Sequence, residues 1–395
     1  MTGWLDDSSL SAVLAALGRT DTTRIVGGAV RDRLLGLPVS DIDLATRLAP
    51  EEVVRRLQAV GLKAVPTGMA HGTITAVVQG RPFEVTTLRR DVSTDGRHAE
   101  IAFTEDWQTD AGRRDFTINA LYADPATGEV FDYFNGLADI ATRTVRFIGD
   151  PLMRIAEDHL RILRFFRFHA RFGVGAPDTA GLAACTTRAN DLMALSRERI
   201  REELFKLLRV ADPVPTLAIM INAGILTPVL PELRVAGLGL LARLVEMEGA
   251  VGEAPSATRR LAALLPPDAA LLDDLGGRLR LSKAQRKRLV ATASRLTAVP
   301  SDIAPLAYAV GTETAHDLLL LAASDSSALA PPLALLATWV KPHLPITGRD
   351  ILALGIEKGP EVAQALKDIE SDWITAGFPP ARDRVLAMAK ARLGC

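Results

Sequence analysis

Apolar residues recur at two different periods along this chain, and the change of period divides it. Leu10, Val13, Leu14 and Leu17 are spaced three and four apart, which predicts an amphipathic helix over 8–17. A short strand is expected over 24–26, running into Gly27-Gly28, and a helix over 29–35 then stops at Gly36. A second strand is expected over 41–45. Pro50 with Glu51-Glu52 opens a helix to about Val60, proline and acids being favoured at a helix start. Three strand-like runs follow, over 62–66, 72–78 and 81–87, with Gln79-Gly80 marking a hairpin turn.

Beyond about residue 150 the strand signal ends. Helical periodicity over 154–171 and 197–209 leads into Ala/Leu-rich helix interrupted at Pro213, Pro231, Pro266-Pro267, Pro300 and Pro331-Pro332. The fold class expected is α+β followed by all-α.

Composition changes this picture little. The 395 residues are 48% hydrophobic and 24% charged, too long for one core. No apolar run reaches the roughly 18 residues of a membrane span. The acidic start through Asp6-Asp7 lacks the features of a signal peptide, and Cys185 and Cys395 are the only cysteines. A cytoplasmic protein without a disulfide framework is expected, and nothing points to an obligate protein partner. Net charge is −1, yet residues 141–210 hold 13 Lys/Arg against 8 Asp/Glu. Arg278, Arg280, Lys283, Arg286, Lys287 and Arg288 form a second basic cluster, read as a candidate RNA contact or a solvated helix face.

Asp41-Ile42-Asp43 carries the strongest chemical signal. Alternation along a strand projects both aspartates from one face and turns Ile42 into the core. Paired carboxylates repel unless a cation lies between them, and hard oxygen ligands of this kind suit Mg²⁺. Alone, the same run is also a solvated strand end. Gly27-Gly28 thirteen residues upstream lets backbone approach a phosphate closely. Glu84, between Phe83 and Val85, is the candidate third carboxylate from a neighbouring strand.

Two further segments supply arginines. In Arg113-Arg114-Asp115-Phe116-Thr117-Ile118-Asn119, Arg114 suits phosphate oxygens and Asn119 could meet a ribose hydroxyl or orient the loop. On one continuous helix, Asp158, Arg161, Arg164 and Arg167 would wind round half the surface. Asp158 and Arg167 would then lie on roughly opposite sides, giving a polar edge. Asp158 and Arg161 could pair with a base edge, with Arg164 and Arg167 facing phosphates.

In this order and spacing, the segments resemble the class II tRNA nucleotidyltransferase and bacterial poly(A) polymerase superfamily, of DNA polymerase beta type. Ser196 to Leu204 resembles the family's neck helix, and Ile346 to Ile351 with Gly355 to Pro360 its C-terminal helical region. The resemblance implies a nucleotidyltransferase head with a small mixed sheet over 1–140. It also implies an elongated all-α part: neck over 141–210, RNA-binding body over 211–300 and tail over 301–395. It implies Gly28 and Arg31 at the nucleotide phosphates, Asp41 and Asp43 on Mg²⁺, and Arg114 at the nucleotide. Asp158 and Arg161 would read cytosine or adenine, with Arg164 and Arg167 completing the site. Residues 88–98 resemble the flexible loop needed to switch from C to A, and their charged, glycine-containing composition is that of a mobile loop. The expected activity is addition of C, C and A to a tRNA 3′ end from CTP and ATP. The alternatives are a poly(A) polymerase, a CC-only or A-only enzyme, and a catalytically silent RNA-binding protein on this scaffold.

Overall fold

The computed structural model describes residues 4–19, 21–94, 99–357 and 359–394. Residues 1–3, 20, 95–98, 358 and 395 lie outside the described residues. They include the chain start, part of the expected loop, one residue of the resemblance over 355–360, and Cys395. The chain divides into two compact units, Met1–Val235 and Ala236–Cys395.

In the first unit, α1 (Ser8–Leu17), β1 (Thr23–Val26), α2 (Gly28–Leu34), β2 (Asp43–Thr46) and α3 (Pro50–Ala59) come first. Next are β3 (Lys63–Gly68), β4 (Thr73–Val78), β5 (Arg81–Thr87), β6 (Arg89–Thr94) and β7 (Ala99–Phe103). They lead to α4 (Trp107–Gly112), β8 (Leu121–Ala123), β9 (Val130–Asp132) and α5 (Gly136–Ala141). The helices α6 (Pro151–Glu157), α7 (Arg161–Phe172), α8 (Thr179–Thr187), α9 (Arg197–Leu208) and α10 (Val214–Asn222) follow.

Seven strands form one sheet in the order β3-β4-β5-β2-β1-β8-β9. The β2–β5 pair is parallel and the other pairs are antiparallel, so the sheet is mixed. Strand alternation divides the core between the two faces. Ile25, Leu44 and Leu121 pack with Leu10, Leu14, Val53 and Leu57 of α1 and α3. Their neighbours Val26, Ala45 and Tyr122 face the other way, onto Trp107 and Ala111 of α4. Gln79 and Gly80 both have positive φ (51° and 83°), the backbone of the tight hairpin turn expected between β4 and β5.

Several boundaries differ from the sequence reading. The second strand begins at Asp43, so Asp41 and Ile42 precede it. The strands β8 and β9 are each three residues long, too short for a recognisable alternation. Residues 89–94 and 99–103 are paired as a two-stranded ribbon instead of forming a simple loop. The helix expected over 154–171 is broken between α6 and α7.

In the second unit the described residues are helical, with no strand among them. Pro331 and Pro332 sit in the first turn of the helix Ala330–Thr338 and begin it where a break was expected, because the first helical positions lack N–H partners in any case. Ile346, Ile351, Ile369, Trp373 and Val385 form one buried cluster. Arg259 and Arg260 are buried against Glu248, with Nε donating to its two carboxylate oxygens at 2.7 Å each. Among the described residues no helix is long and apolar enough to cross a membrane.

Candidate active site

The glycine turn and the aspartates meet through sheet register. Asp43 pairs with Val26, the residue before Gly27-Gly28, in the antiparallel β1–β2 ladder. Gly27 has φ +71°, and its N–H donates to Leu121 O at 2.9 Å. A Cβ there would make only ordinary contact with Arg114 Nη1 at 3.4 Å, so it is the positive φ of the turn that favours glycine. Ile42 is buried, whereas Asp41 and Asp43 keep exposed edges. Glu84 lies on β5, one residue before Val85, the parallel partner of Leu44, and this places it beside Asp43.

Lost hydration, the Glu84 charge and the Asp41 charge raise the Asp43 pKa, and Arg114 offsets only part of this. Such unbalanced negative charge fits a divalent cation at Asp41 and Asp43. Among the described residues no three His, Cys, Asp or Glu side chains converge as a ligand cluster.

The Arg113–Asn119 stretch is anchored by the buried carboxylate of Asp115. Asp115 accepts from Arg164 Nε at 2.8 Å and Nη2 at 2.5 Å, from Asn119 Nδ2 at 3.0 Å, and from the Phe116 N–H. Burial alone would push its carboxyl up. The Arg164 charge and these hydrogen bonds outweigh burial and hold it below the ordinary aspartate value. Asn119 Oδ1 accepts from Arg31 Nη1 at 2.5 Å, so Asn119 ties α2 to this stretch. Arg31 also donates to Asp32, and its guanidinium lies 4.0 Å from the Phe172 ring centroid.

The break between α6 and α7 overturns the continuous-helix geometry. Asp158 is extended (φ −152°, ψ 107°), and its Oδ1 accepts the Leu160 N–H at 3.1 Å. A short side chain that captures nearby backbone N–H groups competes with helix propagation, and here it wins. Asp158 thereby leaves helical register, and it lines the same cavity as Arg161, Arg164 and Arg167. These residues do not occupy opposite sides of a helix. Arg161 donates to Glu157 at 2.5 Å and to the Arg113 carbonyl at 3.0 Å, while Asp158 accepts from Arg199 of α9. Arg167 pairs with Glu203 at 2.6 Å.

The cavity has a volume of about 610 Å³. Gly28, Arg31, Asp43, Arg114, Asn119, Asp158, Arg161, Arg164 and Arg167, all expected site residues, line it. Asp41 and Glu84 stand outside the lining, next to Asp43. Seven arginines face three aspartates around the wall, a surplus suited to a polyanion. Arg89, Arg113, Asp115 and Phe168 were not anticipated. The first three belong to charged runs already visible in the sequence, whereas Phe168 has the signature of a core residue. Burial and repulsion from Arg113 lower the Arg89 pKa to about 10, and its Nε has no hydrogen-bond partner among the described residues.

The basic cluster at 278–288 is less free than its sequence implies. Arg278 pairs with Asp274, Arg286 with Asp273 at 2.5 Å, and Arg288 with Asp317 and Glu313. Lys283 and Lys287 are exposed on the helix Lys283–Ala291.

The chain is similar to known proteins along most of its length. Residues 23–146 match the Poly A polymerase head domain, and residues 177–236 match the probable RNA and SrmB-binding site of polymerase A. The mitochondrial CCA tRNA nucleotidyltransferase 1 of Mus musculus is 37% identical over 387 residues, covering 93% of this chain and 86% of that protein. The CCA-adding enzyme of Levilactobacillus brevis is 30% identical over 380 residues, covering 92% of each. The structure of the Bacillus stearothermophilus CCA-adding enzyme in complex with CTP is similar at a TM-score of 0.74 and 26% identity, covering 99% of this chain and 98% of that one. A mixed-sheet head followed by helical regions makes this chain a nucleotidyltransferase. It belongs to the CCA tRNA nucleotidyltransferase family of enzymes.

Proposed function

We propose that this enzyme adds C, C and A to the 3′ end of tRNA from CTP and ATP, selecting each base with its own side chains. One observation carries this reading: the arginine-rich wall, Asp43 and the Asp158/Arg161 pair share a single cavity. A nucleoside triphosphate needs all three features together, whereas a silent RNA-binding scaffold needs no carboxylate that must remain ionised against its neighbours.

In this reading Gly28, Arg31, Arg164 and Arg167 hold the phosphates, and Arg114 and Asn119 meet the nucleotide at its ribose side. Asp158 accepts from the exocyclic amine shared by cytosine and adenine, and Arg161 donates to a ring acceptor. Asp41 and Asp43 hold Mg²⁺, and Glu84 is the third carboxylate of the centre. Mg²⁺ there supplies activation of the attacking hydroxyl and neutralisation of charge on the leaving group. The tRNA 3′-oxygen bonds the α-phosphorus, the α–β bridging bond breaks, and pyrophosphate leaves with the hydroxyl proton lost to the surroundings.

We assign the head to 1–140, the neck to 141–210, the body to 211–300 and the tail to 301–395. Lys283 and Lys287 are the proposed RNA contact, whereas Arg278, Arg286 and Arg288 of the same cluster are engaged by carboxylates. The cytoplasm is the proposed location, consistent with a buried free thiol at Cys185.

The test uses purified protein with tRNA lacking its terminal A, CA or CCA, against each nucleotide singly. Ordered addition of C, C and A is expected. Incorporation of A alone, onto any RNA, would instead make this a poly(A) polymerase.

A further inference from the structure

Arg89, Arg113 and Arg114 stand together in the cavity wall, although three half-buried guanidiniums repel one another. The group that holds them lies behind the wall. Asp110, on α4, is 1% exposed and does not line the cavity. Its Oδ1 accepts from Arg113 Nε at 2.9 Å and from the Arg89 backbone N–H at 3.2 Å. Its Oδ2 accepts from the Tyr122 O–H at 2.6 Å and from Arg114 Nη2 at 3.3 Å.

Tyr122 belongs to β8 and pairs with Val26, next to the glycine turn, so the carboxylate is referenced to the central sheet. The link also runs outward. Arg161 donates to the Arg113 carbonyl at 3.0 Å, and Arg154 donates to the Gly112 carbonyl at 2.8 Å. A displacement of the 112–114 backbone would therefore move the acceptor that orients Arg161.

We infer that Asp110 is a positioning residue for nucleotide selection, setting Arg114 directly and Arg161 through the Arg113 carbonyl without itself touching the nucleotide. The inference rests on the assignment of Arg114 and Arg161 to the nucleotide site. Charge and geometry both matter. Asparagine has the same shape, but its amide N–H₂ would face the Tyr122 hydroxyl and the Arg114 guanidinium, donors meeting donors. Three arginines would also lose their shared counter-ion.

The experiment measures KM and kcat for ATP and CTP, and the ratio of G or U misincorporation to correct addition. It compares the unaltered enzyme with Asp110→Asn and Tyr122→Phe. Asp110→Asn is expected to raise both KM values about tenfold and the misincorporation ratio by a similar factor, in line with loss of a charged hydrogen bond. Tyr122→Phe keeps the charge and removes one anchor, so it should shift the same quantities roughly two- to threefold. A purely structural carboxylate would lower only the amount of folded, active enzyme.

Unchanged KM and unchanged misincorporation in folded Asp110→Asn overturn the inference. If that variant does not fold, unchanged values in Tyr122→Phe overturn it. Arg161→Ala separates the two levels. If it leaves base selection intact, the nucleotide-site assignment fails. If it relaxes selection while the Asp110 and Tyr122 variants do not, the positioning role alone fails.

Discussion

Arg199 of α9 donates from a single nitrogen, Nη2, to both carboxylate oxygens of Asp158 at 2.9 Å. The two residues lie 41 positions apart, and one of them is the extended residue between α6 and α7. A carboxylate has about four lone-pair sites, so Asp158 can hold Arg199 and still accept from a base. Replacing Arg199 with methionine removes the restraint on the Asp158 side chain. Selection of C and A over U and G should weaken roughly five- to tenfold, and Arg199→Lys should recover part of it. Single-nucleotide incorporation on tRNA lacking CCA and on tRNA ending in CC measures this, and unaltered selectivity in both variants would count against a role for the pair.

Asp43 gives a prediction with opposite signs for stability and activity. Its folded-state pKa is raised above the ordinary aspartate value by lost hydration and by Glu84 and Asp41. The folded state therefore binds the proton more tightly than the unfolded state. Stability falls as pH rises from the ordinary value through the raised one, and stays lowered above it. Asp43→Asn should raise the Tm of metal-free protein by about 1–3 °C at neutral pH, while abolishing incorporation and leaving tRNA binding largely intact. A lower Tm would show that the charges around Asp43 do not repel as described. Asp41→Ala should likewise lose turnover but keep tRNA binding. In the unaltered enzyme, activity should decline on acidification at a higher pH than an ordinary aspartate would give, and added Mg²⁺ should move that decline downward.

The Asp115–Arg164 pair should behave differently. Asp115 is nearly buried, and its depressed pKa contributes stability that is present above the ordinary aspartate value and lost as pH falls through the folded one. Arg164→Met leaves the carboxylate without its counter-ion. The expected destabilisation is roughly 2–3 kcal/mol, below the usual figure for a broken buried pair because Arg164 is partly exposed. Asp115→Asn combined with Arg164→Met should cost less than the two single changes added together. Urea unfolding of the three variants tests this, and strict additivity would contradict the coupling.

Among the basic residues at 278–288, the structure separates two kinds. Lys283→Ala with Lys287→Ala should weaken tRNA binding and reduce the salt slope by up to about one unit per lysine that contacts a phosphate. Arg286→Ala should mainly release Asp273, with little change in that slope. Filter binding across a salt series distinguishes the two, and a flat response to the lysine changes would remove this helix from the RNA contact.

Much of the molecule was legible from local pattern. The period of apolar residues marked α1 and the change from strands to helices near residue 150, Pro50 with Glu51 and Glu52 marked the start of α3, and Gln79-Gly80 marked the hairpin between β4 and β5. The Asp41–Asp43 pair, the glycine turn and the arginine segments could be read because each is a short run whose residue types have few other uses. These features depend on contacts within a few residues of each other, and such contacts are encoded locally.

What the tertiary structure alone decided is how these runs meet. The helix through Asp158 looked continuous because 3.6-residue periodicity carries no record of a side chain capturing a backbone N–H. That capture turns Asp158 into the cavity with Arg161, Arg164 and Arg167. The register of β1 with β2 places Asp43 beside the glycine turn, and β5 brings Glu84 to it. Ion pairs across elements then settled which basic residues stay open: Arg288 is held by Asp317 and Arg286 by Asp273, while Lys283 and Lys287 stay exposed. Charge neutralisation between residues tens of positions apart is a property of packing, and no spacing along the chain records it.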